Sequence, residues 1–221
     1  MAKPADFYVG MVGFFAILLP GAVGTALLRP LLENAVIVAL LSLPATASVQ
    51  WAAFLIASYF LGHLIFLLGS YLDPVYDKLR KRWNPYEEGS AYQCATRIKA
   101  GMLDSAENRA LNSFVWSQAI LTTQWPAAAT EVNELEADSK FFRSLLVVLG
   151  LSAISFFVRS RWAEGIVALL LIVPCFLRYY ERRLKSVTQA YAYIIVLHRL
   201  GKLAAPASQT PLGVERANPA S

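Results

Sequence analysis

The feature that most constrains the fold is an uncharged stretch from Trp51 to Leu72, in which His63 is the only ionisable side chain apart from tyrosines. A basic cluster, Lys78, Arg80, Lys81 and Arg82, follows closely. About 20 apolar residues in an α-helix cross the hydrocarbon core of a bilayer. Lys and Arg just past the end of a span mark its cytoplasmic side. The sequence therefore predicts a transmembrane helix whose C-terminal end faces the cytoplasm.

The composition also indicates a membrane protein. Hydrophobic residues make up 57% of the 221 residues and charged residues 16%, whereas soluble domains average about 45–50% and about 25%. The net charge is +5, but the basic residues are concentrated beside the apolar segments, where membrane orientation and anionic lipid headgroups account for them. We therefore expect the lipid bilayer as a partner and no binding of nucleic acid.

Four apolar segments are predicted to span the membrane: residues 7–28, 51–72, 141–158 and 162–180. The first is too long for the apolar core of a signal peptide, so we expect it to be retained. Pro20 and Pro174 predict kinks in the first and fourth spans. Arg143, near the start of the third span, is expected to extend back to the interface. Gly10, Gly13, Gly21 and Gly24 allow close helix contact in the first span, although Gly21 and Gly24 do not form a GxxxG motif.

The segment 31–43, which is followed by Pro44, is short for a span and is interpreted as an outer loop partly buried in the membrane interface. In the alternative interpretation residues 31–47 form a fifth span, which would place the N-terminus outside. A second basic cluster, Arg178, Arg182, Arg183 and Lys185, follows the fourth span and indicates the same side as the first cluster. We expect both termini in the cytoplasm and the protein in a bacterial inner membrane.

The polar residues 73–140 are predicted to form a small cytoplasmic helical bundle inserted between spans two and three. Asp104 and Ser105, followed by Glu107, predict a helix start, and Pro126 opens another helix. Leu111, Phe114, Val115, Gln118 and Leu121 are spaced as one buried helix face. The predicted fold is an all-α integral membrane protein with segments 1–72, 73–140, 141–180, an amphipathic cytoplasmic helix over 181–203 and a disordered tail over 204–221.

One candidate site lies within the second span. An ionisable residue at membrane depth is a functional candidate because its burial in lipid is costly. His63 lies one helical turn from Tyr59, and the pair is a candidate gate or proton relay facing the bundle interior or water. In the alternative interpretation His63 is a neutral imidazole that donates a hydrogen bond to a neighbouring helix. No Asp or Glu lies in the middle of another span to act as the second member of a relay.

The polar region offers a second set of candidates. Glu131, Glu134 and Asp138 lie on one face of a predicted helix and form a candidate partner surface, together with Arg97 and Arg109. A solvated face paired with Lys140, Arg143 or the Lys78–Arg82 cluster is the alternative. Four further charges of this region, Arg97, Lys99, Glu107 and Arg109, are expected to form surface ion pairs of little energetic value. In the alternative interpretation they line a ligand cleft in the cytoplasmic bundle.

No motif for a hydrolase, a zinc protease or a nucleotide-binding loop is present, and Cys94 and Cys175 do not form a metal or redox pair. We therefore expect no catalysis, no metal and no cofactor. The layout resembles, in architecture only, small multi-span proteins that act as membrane effectors or sensors in bacterial defence operons. The expected function is a non-enzymatic homo-oligomer that couples a cytoplasmic partner- or signal-binding helical domain to its spans, as an effector, a sensor or a scaffold. The alternative is a channel or transporter subunit that uses the kinked first span and His63.

Overall fold

The computed structural model describes residues 4–28, 46–83 and 87–203, and all regular structure there is α-helical. The prediction of an all-α protein is confirmed. The helices are α1 (Pro4–Leu28), α2 (Ala47–Ser70), α3 (Asp73–Trp83), α4 (Glu87–Met102), α5 (Ser105–Ala110), α6 (Ser113–Gln124), α7 (Pro126–Val158) and α8 (Trp162–Arg199). The predicted outer loop or fifth span at 31–47 falls almost wholly outside the described residues, as does the tail from residue 204.

Three stretches in the described part of the chain are long and apolar enough to cross a membrane: Ala47–Arg82, Pro126–Val158 and Trp162–Arg199. They contain the predicted second, third and fourth spans. Within α1, the part from Ala16 to Leu28 forms a shorter apolar helix, so the first span stays a prediction. Both α1 and α8 continue through their internal prolines, Pro20 and Pro174.

Helix α7 is the central element of the apolar bundle. It packs against α1, α2 and α8, while α1 and α2 also pack against each other. The most apolar part of α7 is 44% buried within the chain, against 22% for Ala47–Arg82 and 17% for α8. Much of the surface of α2 and α8 is therefore apolar and outward-facing, as expected of helices that contact lipid or another copy of the chain.

Two glycines bring the backbones of α1 and α2 into direct contact. A Cβ atom added at Gly21 would lie 1.8 Å from the Ser58 carbonyl oxygen, and one added at Gly62 would lie 2.3 Å from the Ile17 carbonyl oxygen. The Ser58 hydroxyl also donates to Thr25 Oγ1 across this interface at 3.4 Å. Small residues that permit close backbone approach stabilise helix pairs in membranes through packing and hydrogen bonding.

A second core lies outside the apolar bundle, in what we call the polar domain: α4 to α6, residues 126–140 of α7 and residues 181–199 of α8. Its buried side chains come from α6, α7 and α8: Trp116, Leu121, Ala128, Ala129, Val132, Ala190, Ile194 and Leu197. The predicted helix starts are present, since Asp104 is the N-cap of α5 and Pro126 is the first residue of α7. The polar region is therefore a packed helical unit.

The predicted buried face of α6 is wrong in part. Leu111 and Val115 are 40% and 51% exposed, whereas Trp116 and Leu121 are buried. The helix begins only at Ser113 because Asn112 caps it, its Oδ1 accepting a hydrogen bond from Phe114 N at 2.8 Å. Leu111 therefore precedes the helix, and the face that meets α7 and α8 is shifted by one residue.

Helices α7 and α8 each run without a break from the polar domain into the apolar bundle. The two helices pack against each other. Where the two regions meet, Tyr76 of α3, Leu146 of α7 and Tyr179 of α8 form a separate buried cluster. We call these three residues the junction cluster.

Candidate functional site

The polar domain contains a cleft with a cavity volume of about 750 Å³. Its walls come from α3, α4, the α5–α6 connection and the polar half of α8. Tyr76 of the junction cluster is one of its lining residues, so the cleft lies directly beside the apolar bundle. Because α3 follows α2 after two residues and α8 is continuous with a candidate span, two walls are attached directly to apolar helices.

Positive charge dominates this basic cleft. It is lined by Arg80, Lys99, Arg109 and Arg183, and Asp77 is the one acidic residue among the described residues of the lining. Arg80 Nη2 lies 3.7 Å from Asp77 Oδ1. Arg183 Nη1 is 3.9 Å from Glu136 Oε1, which is a long ion pair, and its guanidinium lies 6.0 Å from the centre of the Phe114 ring. An excess of guanidinium groups in one cavity favours an anionic ligand, because guanidinium forms bidentate hydrogen bonds with carboxylate and phosphate.

Aromatic side chains form the remaining walls. Tyr76 and Tyr191 are buried, and the Tyr92 ring lies against the Tyr191 ring with a centroid distance of 5.8 Å. The Tyr76 hydroxyl is buried and has no hydrogen-bond partner among the described residues. Buried polar groups are nearly always hydrogen-bonded, so the Tyr76 hydroxyl is an exception in the core beside the cleft.

Lys99 fixes the shape of the cleft. Its ammonium group is buried and donates to the carbonyl oxygens of Asn108 and Leu111 at 2.9 and 2.5 Å. These bonds hold the C-terminal end of the short helix α5 against α4. Arg109 lies in the same turn, is exposed, and donates from Nε to the Ser105 carbonyl oxygen at 3.1 Å. Lys99 therefore positions the segment that carries Arg109 into the cleft wall.

An ion pair between buried Arg143 and half-buried Asp73, extended by a hydrogen bond from Tyr179, joins three helices next to the basic cleft. Arg143 of α7 donates from Nη1 to Asp73 Oδ2 at 2.6 Å, and the Tyr179 hydroxyl of α8 donates to Asp73 Oδ1 at 2.9 Å. The Arg143 side chain is 8% exposed and passes over the Phe66 ring and close to Gly69 of α2. Because Asp73 directly follows the second predicted span, this bond directs the Arg143 guanidinium toward the end of that span, and its extension to the membrane interface stays a prediction. We call Asp73, Arg143 and Tyr179 the Asp73 cluster.

The acidic residues predicted as a partner surface are mostly engaged within the chain. Glu131 accepts hydrogen bonds from Gln189, at 2.5 Å, and from the Tyr193 hydroxyl. Asp138 lies 3.6 Å from Arg182 Nε, and Glu134 is half-buried. For Glu131 and Asp138, the partners expected from the sequence, Lys140, Arg143 and the Lys78–Arg82 cluster, are replaced by α8 residues. The reason is that α7 and α8 are joined by a short turn and pack against each other as an antiparallel hairpin. This surface therefore joins α7 to α8.

The other predicted partner residues are separated. Arg109 lines the basic cleft, as does Lys99, whereas Arg97 is exposed on α4 and lies outside the cleft wall. Glu107 accepts a hydrogen bond from Asp104 N at 3.4 Å as part of the α5 cap. Of the four charges that the alternative interpretation placed in a cleft, Lys99 and Arg109 line this cavity, whereas Arg97 and Glu107 do not.

The predicted gate pair lies on the outward surface. Tyr59 is 39% exposed, His63 is also exposed, and their rings meet edge to face at 4.6 Å. On α2 the small residues Ser58, Gly62 and Gly69 and the larger Ile65 face inward instead. Contact with α1 through Gly62 turns the opposite face of α2 inward, so His63 lies on the outward surface of the single chain, and its role as a gate or relay stays a prediction.

The two basic clusters lie on α3 and α8 and differ in their roles. Lys78, Lys81 and Arg82 are exposed, while Arg178 and Lys185 pair with Glu181 at 2.7 Å each. Arg80 and Arg183 are half-buried and both line the basic cleft. Arg182 contacts Asp138. Each of the two clusters, which were predicted to lie at the membrane interface, therefore contributes one arginine to the basic cleft.

Several site residues were missed from the sequence. Asp73 and Tyr179 were not candidates. The sequence does contain a signal for the ion pair, since Asp73 directly follows one uncharged segment and Arg143 lies at the start of another. Tyr76, Tyr92 and Tyr191 lack such a signal, since their approach depends on how three helices pack. Among the described residues no group of three His, Cys, Asp or Glu side chains lies close enough to hold a metal ion.

Comparison with known proteins adds no relative. No protein-family model matches the chain, and no match to it was found among the curated proteins or the solved structures.

Proposed function

We propose that this chain is a non-enzymatic integral membrane protein of four spans in which the polar domain receives a signal or partner and passes the change to the apolar bundle. It acts as an effector or sensor, or as a scaffold, and works as a homo-oligomer. The observation that carries the proposal is the continuity of α7 and α8, which each share one helix between the polar core and the apolar bundle.

The geometry supports this coupling. At a rise of about 1.5 Å per residue, helix α7 is about 50 Å long. Val132 and Ile194 are fully buried in the polar core, and Leu146 and Tyr179 lie further along the same two helices in the junction cluster. Two packed helices move as a unit, so a shift in the polar core displaces the junction cluster. Two sites are coupled physically when each of them changes the conformational equilibrium of the rigid element that they share.

The outward-facing surface supports association. On α2 large apolar residues are exposed along the whole length: Leu55, Ile56, Phe60, Leu64, Leu67 and Leu68. Such a surface contacts either lipid tails or another copy of the chain. The channel alternative has less support, since His63 faces outward in the single copy and the interior of the bundle is filled by small and apolar residues.

The topology is tested by labelling cysteines with a membrane-impermeant maleimide. Cys94 is exposed in the polar domain, and a Ser160→Cys variant adds a thiol in the turn between α7 and α8, in a Cys175→Ala background. We expect intact spheroplasts to label position 160 but to label Cys94 only after permeabilisation, because both basic clusters orient the polar domain inward. Labelling of Cys94 in intact spheroplasts would overturn the proposed orientation.

Coupling is tested with Ile194→Ala, which removes a fully buried side chain from the polar core. Deletions of this kind cost about 2–5 kcal/mol. We expect faster hydrogen–deuterium exchange not only in the polar domain but also in peptides covering 141–149 and 172–180, measured in lipid nanodiscs.

The control is Val196→Ala, two residues further along α8, where the side chain is 44% exposed. It should leave exchange unchanged in both regions. If Ile194→Ala accelerates exchange in the polar domain alone, the two regions are independent and the proposed function is wrong.

A further inference from the structure

We infer that the basic cleft binds an anion carrying two or more phosphate groups, either a free nucleotide or the headgroup of a diphosphate lipid. The inference rests on the proposed function in one respect: the anion would be the signal that the polar domain receives. It is carried by the cleft's volume, its charge balance and its position beside the apolar bundle.

The charges that line the cleft indicate how many negative charges its ligand carries. Among the described residues that line the cleft, Arg80, Lys99, Arg109 and Arg183 are basic and Asp77 alone is acidic. A single carboxylate ligand would leave most of this positive charge uncompensated. A ligand with two or more phosphate groups would compensate it, and each charge-assisted hydrogen bond to a phosphate oxygen is stronger than a neutral one.

The donors for such a ligand are present. Arg109 uses only Nε within the described part of the chain, for the Ser105 carbonyl oxygen, so both of its terminal nitrogens remain for a ligand. Arg183 makes one ion pair at 3.9 Å, beyond hydrogen-bonding distance.

The cleft is too large for inorganic phosphate, and part of its lining is aromatic. A cavity of about 750 Å³ falls within the range of about 300–1,000 Å³ typical of sites for organic ligands. Tyr92 and Phe114 offer aromatic surface to the organic part of the ligand. A nucleotide base or the glycerol part of a lipid headgroup can occupy this space, and an isolated phosphate would leave most of it empty.

The position explains how binding would act. Arg80 belongs to α3, which follows α2, whereas Arg183 belongs to α8, which continues into a candidate span. An anion held between these two arginines draws α3 toward α8 next to the junction cluster. Bound and free states of the cleft therefore differ in the relative position of two apolar helices.

The experiment uses the full chain in nanodiscs and has two arms. In the first arm, nanodiscs of phosphatidylcholine are titrated with ATP in the absence of divalent cations, and the dissociation constant is measured by calorimetry. In the second, nanodiscs contain phosphatidylcholine with or without cardiolipin, and the midpoint of thermal unfolding is compared. Bound ligand raises the midpoint by mass action.

The variants separate the cleft from general surface charge. Arg109→Gln and Arg183→Gln should each weaken binding at least tenfold, since each removes a charge-assisted hydrogen bond. Arg97→Gln, on the same side of the chain but outside the cleft, and Arg182→Gln, next to Arg183 but facing Asp138, should change it less than twofold. Circular dichroism of the unliganded variants establishes that they fold, and the exposed Arg109 makes that variant safe for folding.

The outcomes are distinct. Saturable ATP binding with this variant pattern supports a free nucleotide, and a cardiolipin-dependent midpoint with the same pattern supports a lipid headgroup. Equal effects in all four variants, or no effect of either ligand, would overturn the inference. If the anion binds but Ile194→Ala does not accelerate exchange in the apolar bundle, the binding site is supported and the proposed function is wrong. If exchange is accelerated there but neither ligand binds, the proposed function is supported and the binding site is wrong.

Discussion

Replacing Gly21 with alanine should separate helices α1 and α2 and cause one of the two largest losses of stability among the changes considered. The new Cβ would lie 1.8 Å from the Ser58 carbonyl oxygen and 2.8 Å from Gly62 N, so backbone atoms have to move. Overpacking costs about 1–3 kcal/mol in well-packed cores. The expected loss is at the upper end, about 3 kcal/mol, because the obstructing atoms belong to a helix backbone. Thermal unfolding in one mild detergent measures it.

A graded set of glycines provides the controls. At Gly24 the added atom meets the end of the Ile65 side chain at 2.8 Å, which can rotate away, so alanine there should cost less. At Gly150 of α7 nothing lies within 4 Å, and alanine should be neutral or stabilising by up to about 1 kcal/mol because it favours the helix. Equal unfolding midpoints for the Gly21 and Gly150 variants would show that α1 and α2 are not in backbone contact.

The second large effect is expected for Asp73→Asn. Arg143 is 8% exposed and Asp73 supplies its one ion pair among the described residues, so the substitution leaves a buried cation without a counter-charge. Removing one partner of a buried pair costs about 3–5 kcal/mol. Because Asp73 itself is 38% exposed, the expected loss is about 2 kcal/mol, measured as the unfolding midpoint and the free energy of unfolding in detergent.

Asp77→Asn is the matched control on the same helix. Asp77 is 59% exposed and pairs with Arg80 at 3.7 Å, and exposed pairs contribute about 0–1 kcal/mol. Combining Asp73→Asn with Arg143→Leu should cost less than the sum of the single changes, because the buried cation is then absent. Asp73→Asn and Asp77→Asn variants of equal stability would contradict the role assigned to the Asp73 cluster.

Much of the helical layout follows from local signals in the sequence. Uncharged runs such as Trp51–Leu72 have to form helices in an apolar environment, because only internal hydrogen bonds satisfy their backbone. Asp104 and Pro126 begin helices where their side-chain chemistry predicts. A cleft in this region was the alternative interpretation of its charges, and Lys99 and Arg109 do line a cavity there. These features depend on neighbours in the chain, which a sequence shows directly.

Tertiary structure determined which side of each helix points toward the protein interior. His63, which was expected to face the bundle interior or water, lies on the outward surface of the chain, because contact through Gly62 turns the opposite side of α2 toward α1. Glu131 was expected at a partner surface and bonds to α8. In a chain this apolar, hydrophobic periodicity does not distinguish a lipid-facing side from a protein-facing side, since both are apolar.

The sequence by itself therefore determined that the chain is helical, where most of its described helices lie and which end of the bundle carries the basic residues. Only the tertiary structure decided that Asp73 meets Arg143 and Tyr179, and that Arg80 and Arg183 share one cleft. The physical reason is distance along the chain. A capping residue or an apolar run acts within one or two turns, whereas a buried ion pair or a cavity forms only when packing brings separate helices together.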